Sequence, residues 1–98
     1  EDNSPASKAF ADAYKKEYGQ MPDALAVLGY DAANLLIDAI KRANSVDKSK
    51  IQAALAATKA FPAITGATTL NATHDAVKSA VIIEMKNGKQ IYKATVKP

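Results

Sequence analysis

The sequence predicts an α/β chain: three helices followed by one short strand and a C-terminal β-hairpin. Three observations predict it. Between Pro22 and Ala43, apolar residues recur at Leu25, Leu28, Ala32, Leu35, Leu36, Ala39, Ile40 and Ala43, the i, i+3, i+4, i+7 spacing of one helical face. At Phe61-Pro62 the character changes, and β-branched residues and glycine take over from alanine and leucine. Near the C-terminus, Asn87-Gly88 separates two β-rich runs, the strongest short-range signal for a hairpin.

Each element has its own local logic. Ser4-Pro5 reads as a cap followed by the first helical position, and Gly19 as the left-handed stop after Tyr18. Phe10, Ala13, Tyr14 and Tyr18 form the stripe of this first helix, and such a stripe is core rather than a binding platform. In the central helix, Pro22 suits the first position. Asp23 complements the positive end of the dipole, and Lys41 and Arg42 the negative end. About 22 residues give a helix of ~33 Å. Gly29 costs it up to ~1 kcal/mol relative to alanine, and its expected use is close approach of another backbone. Asn44-Ser45-Val46 ends the helix. Asp47 then caps a third, from Lys48 to about Thr58, with Ile51, Ala54 and Leu55 facing inward.

Thr65 to Leu70 reads as a short strand, Asn71 to Asp75 as a polar turn, and Val77 to Lys86 and Lys89 to Val96 as the hairpin. A two-residue loop sets Lys86 opposite Lys89, Ile83 opposite Tyr92 and Val81 opposite Ala94. One face then carries Val81, Ile83, Met85, Tyr92 and Ala94. The other carries Ile82, Glu84, Ile91 and Lys93, and is expected to be only partly covered.

Composition narrows the function classes. The 98 residues contain no cysteine, so thiol and disulfide chemistry are excluded. Their length suits one domain or a piece of a larger one. The formal charge is +3, but the lysines are scattered and Arg42 is the single arginine. This reads as a solvated surface, and no nucleic-acid partner is expected. No apolar run approaches the ~20 residues that span a bilayer. Glu1-Asp2-Asn3 is not the basic start of a signal peptide. No internal repeat or low-complexity tract is present.

The residue types that carry chemistry do not converge. His74 is the sole histidine, beside Asp75 in a predicted loop, and a metal site needs several ligands. A Ser-His-Asp arrangement would have to use it, with no GxSxG elbow in support. Neither a Walker A pattern nor GxGxxG occurs. Asp31 and Asp38 stand two helical turns apart and read as a solvated polar stripe rather than an acid–base pair. Asn71-Ala72-Thr73 matches the glycosylation acceptor pattern, which is frequent by chance. The chain is therefore not read as an enzyme, and no cofactor or metal is expected.

Phe10, Tyr14, Tyr18 and Gly19 form the run F-x-x-x-Y-x-x-x-Y-G. Pro22-Asp23, Gly29-Tyr30-Asp31-Ala32-Ala33, Leu35-Leu36, Ala39-Ile40 and Ala43 follow in order. Next come Asp47, Ile51, Ala54-Leu55, Phe61, Thr65-Gly66, Lys78 and Asn87-Gly88-Lys89. In this order and spacing the chain resembles the C-terminal part of the substrate-binding proteins of branched-chain amino-acid ABC importers. Its closing hairpin and Val96-Lys97-Pro98 resemble the end of such proteins from Gram-positive bacteria. The resemblance implies a type I periplasmic-binding fold, two α/β lobes around a cleft, in a protein three to four times longer. Residues 1–77 would belong to the first lobe, as helical crossovers, and the hairpin at 78–98 to the second. The implied ligand is leucine, isoleucine or valine, and the implied partner is the membrane permease of the importer. The implied location is the cell surface, as a lipoprotein, or the periplasm.

Leu25 matches the family position that often carries an aromatic residue lining the ligand side-chain pocket; here leucine replaces it. The alternative role for Leu25 is to begin the buried stripe of the central helix. The family also usually has glycine near Ala63, and Phe-Asp where Leu70-Asn71 stand. Polar contacts to the ligand would come from parts of the family preceding Glu1, so ligand binding by this segment alone is not expected. Self-association of the chain is expected. The alternative reading of the whole chain is a small stand-alone α/β interaction module without a ligand.

Overall fold

Helix α1 spans Pro5–Tyr18, α2 spans Ala24–Ala43 and α3 spans Lys48–Ala56. These belong to a computed structural model that describes residues 4–98; the acidic start Glu1-Asp2-Asn3 lies outside the described residues. The bounds of α1 are those its local signals set. The Ser4 hydroxyl accepts from the Ser7 N–H at 3.2 Å, Pro5 occupies the first helical turn, and Gly19 closes it at φ 74°. Helix α2 begins two residues later than expected. Asp23 has extended backbone geometry and is itself the cap, accepting from the Ala26 N–H at 2.8 Å. An aspartate can satisfy an orphan N–H where a proline cannot, so Pro22 stays outside. Asn44 ends the helix in the left-handed region and donates to the carbonyls of Ile40 and Lys41.

The covered face of α2 coincides with the predicted one only in its C-terminal half, where Leu35, Ala39, Ile40 and Ala43 belong to both. Leu25, Leu28 and Leu36 are exposed, and Val27, Asp31, Leu35 and Ala39 turn toward the rest of the chain. In the N-terminal half the face is rotated by roughly a quarter turn from the apolar stripe. Among the described residues Ala39 is the only fully buried hydrophobic one. Gly29 is likewise unapproached: apart from its neighbours in the chain and the backbone of its own helix, no atom lies within 4 Å of the position its Cβ would take. Helix α1 meets α2 through Phe10 and Tyr30, whose ring centroids are 4.5 Å apart, and α3 packs alongside the C-terminal half of α2.

Asp47 caps α3 with one carboxylate oxygen, accepting the backbone N–H groups of Ser49 at 3.0 Å and Lys50 at 3.2 Å and the Ser49 hydroxyl at 2.6 Å. The Ser49 hydroxyl first, and then the Lys50 N–H, hold its pKa below the ordinary aspartate value. A depressed pKa contributes stability that is complete above the unfolded-state value and is lost as pH falls through the folded one. The first turn of α3 should therefore survive acidification through the ordinary aspartate range and fray only below it. The Ser49 and Lys50 amide shifts, followed by NMR across an acid titration, check this. A midpoint at the ordinary aspartate value would mean that the cap is not formed in solution.

One strand was expected between the helices and the hairpin, and three form. Strands β1 (Phe61–Ala63), β2 (Gly66–Leu70) and β3 (Ala76–Val77) make a small antiparallel sheet in the order β1-β2-β3. Phe61 lies opposite Thr68, Ala63 opposite Gly66 and Thr69 opposite Val77. Strands of three and two residues hold no periodic signal of their own; β2 makes them by pairing on both sides. Ala60 leads into β1 with a left-handed φ of 50°, its N–H held by the Thr69 hydroxyl at 2.9 Å.

Strands β4 (Ala80–Lys86) and β5 (Lys89–Val96) form the C-terminal hairpin. Asn87 and Gly88 both have positive φ, 51° and 74°, as a type I′ turn demands. Lys86 pairs with Lys89 and Ile83 with Tyr92, as the loop length predicts. Beyond that the register shifts, and Val81 faces Thr95, not Ala94. Lys93 is the extra residue of a β-bulge. It moves Ala94 to the face of Ile82 and brings Thr95 beside Tyr92, whose hydroxyls lie 2.9 Å apart. Every residue of the hairpin is exposed, and neither face packs on the helices. The chain accordingly extends 50 × 33 × 19 Å, with a radius of gyration of 15.5 Å. A compact chain of this length has ~13 Å. Among the described residues no helix is long and apolar enough to cross a membrane.

Candidate functional site

Leu25, the one residue the sequence marks for a ligand pocket, lies in the first turn of α2. Its side chain is 78% exposed, so it does not begin a buried stripe. It stands apart from the two shallow grooves on the other side of the helix. One of these is lined by Tyr30, Asp31, Asn34, Ile37, Asp38, Lys41 and the segment Phe61–Ile64. The other lies between Asp38, Arg42 and residues 57–62. Both are open and wide.

The aspartates expected to form a solvated stripe do something else. Asp31 is only 8% exposed. One of its carboxylate oxygens accepts the Ile64 N–H at 2.8 Å, and the other accepts the Thr65 N–H at 3.0 Å and the Thr65 hydroxyl at 2.8 Å. Ile64-Thr65 is the two-residue loop between β1 and β2. Two β-branched residues are poor turn formers. The charge-assisted bonds from Asp31 hold that loop from the neighbouring helix. The Lys78 ammonium joins the cluster, 2.9 Å from the Thr65 hydroxyl.

Asp38 accepts from Arg42 Nε at 2.8 Å, one helical turn on. The same guanidinium donates to the Ala54 carbonyl at 2.7 Å and the Thr58 hydroxyl at 2.9 Å. Arg42 thus ties α2 to the end of α3 with two of its donors, while the third holds the guanidinium against its own helix. A half-exposed pair alone would add little; here the fork also satisfies a carbonyl that the helix end leaves without a partner.

His74 sits at φ 67° in the exposed loop, its N–H bonded to the Asn71 carbonyl. Asn71 Oδ1 accepts from the backbone N–H groups of Thr73 and Asp75 and from the Thr73 hydroxyl. The residues of the glycosylation pattern are thus occupied in closing their own turn. Among the described residues, no three of His, Cys, Asp or Glu gather as metal ligands.

Among the described residues these features give clamps, surfaces and open grooves. Comparison with known proteins places them in context. Among curated proteins none matches. A leucine binding protein, LivK from Thermotoga maritima, has 40% sequence identity and a TM-score of 0.82 over 98% of this chain, which spans 27% of that protein. The branched-chain amino acid substrate binding protein LivJ from Streptococcus pneumoniae, in complex with isoleucine, has 39% identity and a TM-score of 0.78. The match covers 97% of this chain and 27% of that one. A solute binding protein of an ABC transporter from Rhodopseudomonas palustris, in complex with 3,4-dihydroxybenzoic acid, has 30% identity and a TM-score of 0.81. There the match covers 97% of this chain and 28% of the other. The three helices, the small sheet and the hairpin are thus an α/β unit shared with solute-binding proteins three to four times longer. The sequence also matches the periplasmic binding protein family along residues 1–90, and the chain belongs to that family.

Proposed function

We propose that this chain is the C-terminal segment of a solute-binding protein that captures branched-chain amino acids for an ABC importer and delivers them to its membrane permease. One observation carries the reading: 40% identity along 98% of the chain to a leucine binding protein. The relative with a bound aromatic acid is less similar, at 30%, which favours leucine, isoleucine or valine as the ligand. Family membership places such a protein outside the cytoplasmic membrane, in the periplasm or at the cell surface. In this reading residues 1–77 belong to one lobe and 78–98 to the other. The exposure of the hairpin and of Leu25, Leu28 and Leu36 supports it, since those surfaces are free to meet the remaining three-quarters of such a protein. Leu25 lines the side-chain pocket, consistent with its outward position.

The segment alone should not capture the ligand. A zwitterion needs a partner for each charge, because unpaired burial is costly, and the two grooves among the described residues are open to solvent. Titration calorimetry of leucine into the chain should give no saturable heat in the micromolar range. The longer protein that contains it should bind, and Leu25→Ala there should weaken binding. The loss should be less than the roughly 2–5 kcal/mol of a buried leucine truncation, because a cleft is hydrated. Micromolar binding by the chain alone, or unchanged affinity in Leu25→Ala, would remove the corresponding part of the proposal.

A further inference from the structure

The hairpin leaves the helical body through a narrow passage. Strand β3 ends at Val77 and β4 begins at Ala80, so Lys78 and Ser79 are the whole connection. Neither face of the hairpin packs on the body. Two residues with free φ and ψ would let it point almost anywhere.

One side chain at this passage is held. The Lys78 ammonium lies 2.9 Å from the Thr65 hydroxyl, and that hydroxyl lies 2.8 Å from Asp31. A threonine hydroxyl has one proton to give and lone pairs to receive. An ammonium can only donate and a carboxylate only accept. The direction is therefore fixed: Lys78 donates to Thr65, and Thr65 donates to Asp31. Both ends are charged, and the hydroxyl between them is polarised from both sides, which strengthens each bond. Asp31 is itself immobilised by the Ile64 and Thr65 N–H groups and sits midway along the longest helix. Lys78 is thereby linked through its side chain to α2 and to the β1–β2 loop.

We propose that the relay Lys78–Thr65–Asp31 anchors a hinge at Ser79 and sets the direction in which the C-terminal hairpin leaves the helical body. The anchor removes the rotational freedom of Lys78 and leaves Ser79 as the pivot. Its role in closing a cleft rests on the two-lobe reading above; the anchoring itself does not.

The chain has no cysteine, so spin labels can be placed at will. Lys41→Cys on α2 and Lys89→Cys at the hairpin tip give a labelled pair on exposed sites far from the relay. The labelled chain is diluted in an excess of unlabelled chain, and the distance distribution is read by pulsed electron paramagnetic resonance. The parent sequence should give one narrow peak. Lys78→Met removes the ammonium and keeps the aliphatic stem. Thr65→Val removes the hydroxyl and keeps the branched shape. Both should lose the narrow peak to a broad distribution, while the circular dichroism of the helices is unchanged. A broad distribution in the parent chain, a narrow one in both variants, or broadening in only one of them would overturn the relay. Leucine titration of the longer protein is a separate reading: its failure would end the transport proposal and leave the anchor standing.

Discussion

Asp31→Ala is expected to destabilise the chain by about 2–5 kcal/mol, through the loss of three hydrogen bonds to a charged acceptor. The lost carboxylate strands the Ile64 and Thr65 N–H groups in a partly buried turn, and an unsatisfied buried donor costs roughly 1–3 kcal/mol. A typical domain has a net stability of only about 5–15 kcal/mol. Among the described residues a single hydrophobic one is fully buried, so the margin is at the low end, and the β1–β2 sheet should melt first. Asp31→Asn should recover little: its amide nitrogen would turn a donor toward a donor. Urea unfolding followed by circular dichroism, with β2 amide shifts as the local probe, checks the prediction. A midpoint that does not move in Asp31→Ala would show that the Ile64-Thr65 turn stands on its own.

The second large effect is self-association. Leu25, Leu28, Leu36 and Ile37 on α2, and Val81, Ile82, Ile83, Met85, Ile91, Tyr92 and Val96 on the hairpin, are all more than two-fifths exposed. Fully burying one such side chain is worth about 1.5–3 kcal/mol. Covering a few of them competes with the whole stability of a small domain. The hairpin adds open strand edges, and a lone two-stranded hairpin is marginal in water. A second copy can offer the same surface back in a two-fold arrangement. Sedimentation equilibrium over a wide concentration range should therefore show dimers or larger species, with near-UV circular dichroism growing as they form. A cooperatively folded monomer at all concentrations would defeat the prediction.

What the sequence disclosed was what short-range chemistry decides. Ser4-Pro5 and Gly19 bound α1 because a cap and a left-handed stop act within a few residues. Asn87-Gly88 fixed the hairpin turn for the same reason. The covered face of α2 departs from the apolar stripe in its N-terminal half because periodicity identifies a stripe and not what covers it; here Asp31 faces inward while Leu25, Leu28 and Leu36 face out. The β1–β2 hairpin was missed because its turn, Ile64-Thr65, has none of the usual turn residues. The residue that holds it is Asp31, more than thirty positions away. Leu25 could be singled out only through family resemblance, since a leucine in a first helical turn has no chemistry that distinguishes it. Arg42 was read as a dipole complement, and its reach to Ala54 and Thr58 depends on how two helices pack.

The bulge at Lys93 gives strand β5 two reading frames. From Lys89 to Tyr92 odd and even positions address the two faces in one order; from Ala94 onward the order is reversed. Tyr92 and Thr95, three residues apart, therefore share a face, which an unbroken strand forbids. Ala94 and Val96 join Ile82 and Ile91 on the other, beside Glu84, whose carboxylate meets the Lys93 ammonium at 3.4 Å. One inserted residue thus exchanges Thr95 for Ala94 and Val96 on that face and makes its end away from the turn more apolar, with no change in the composition of the strand.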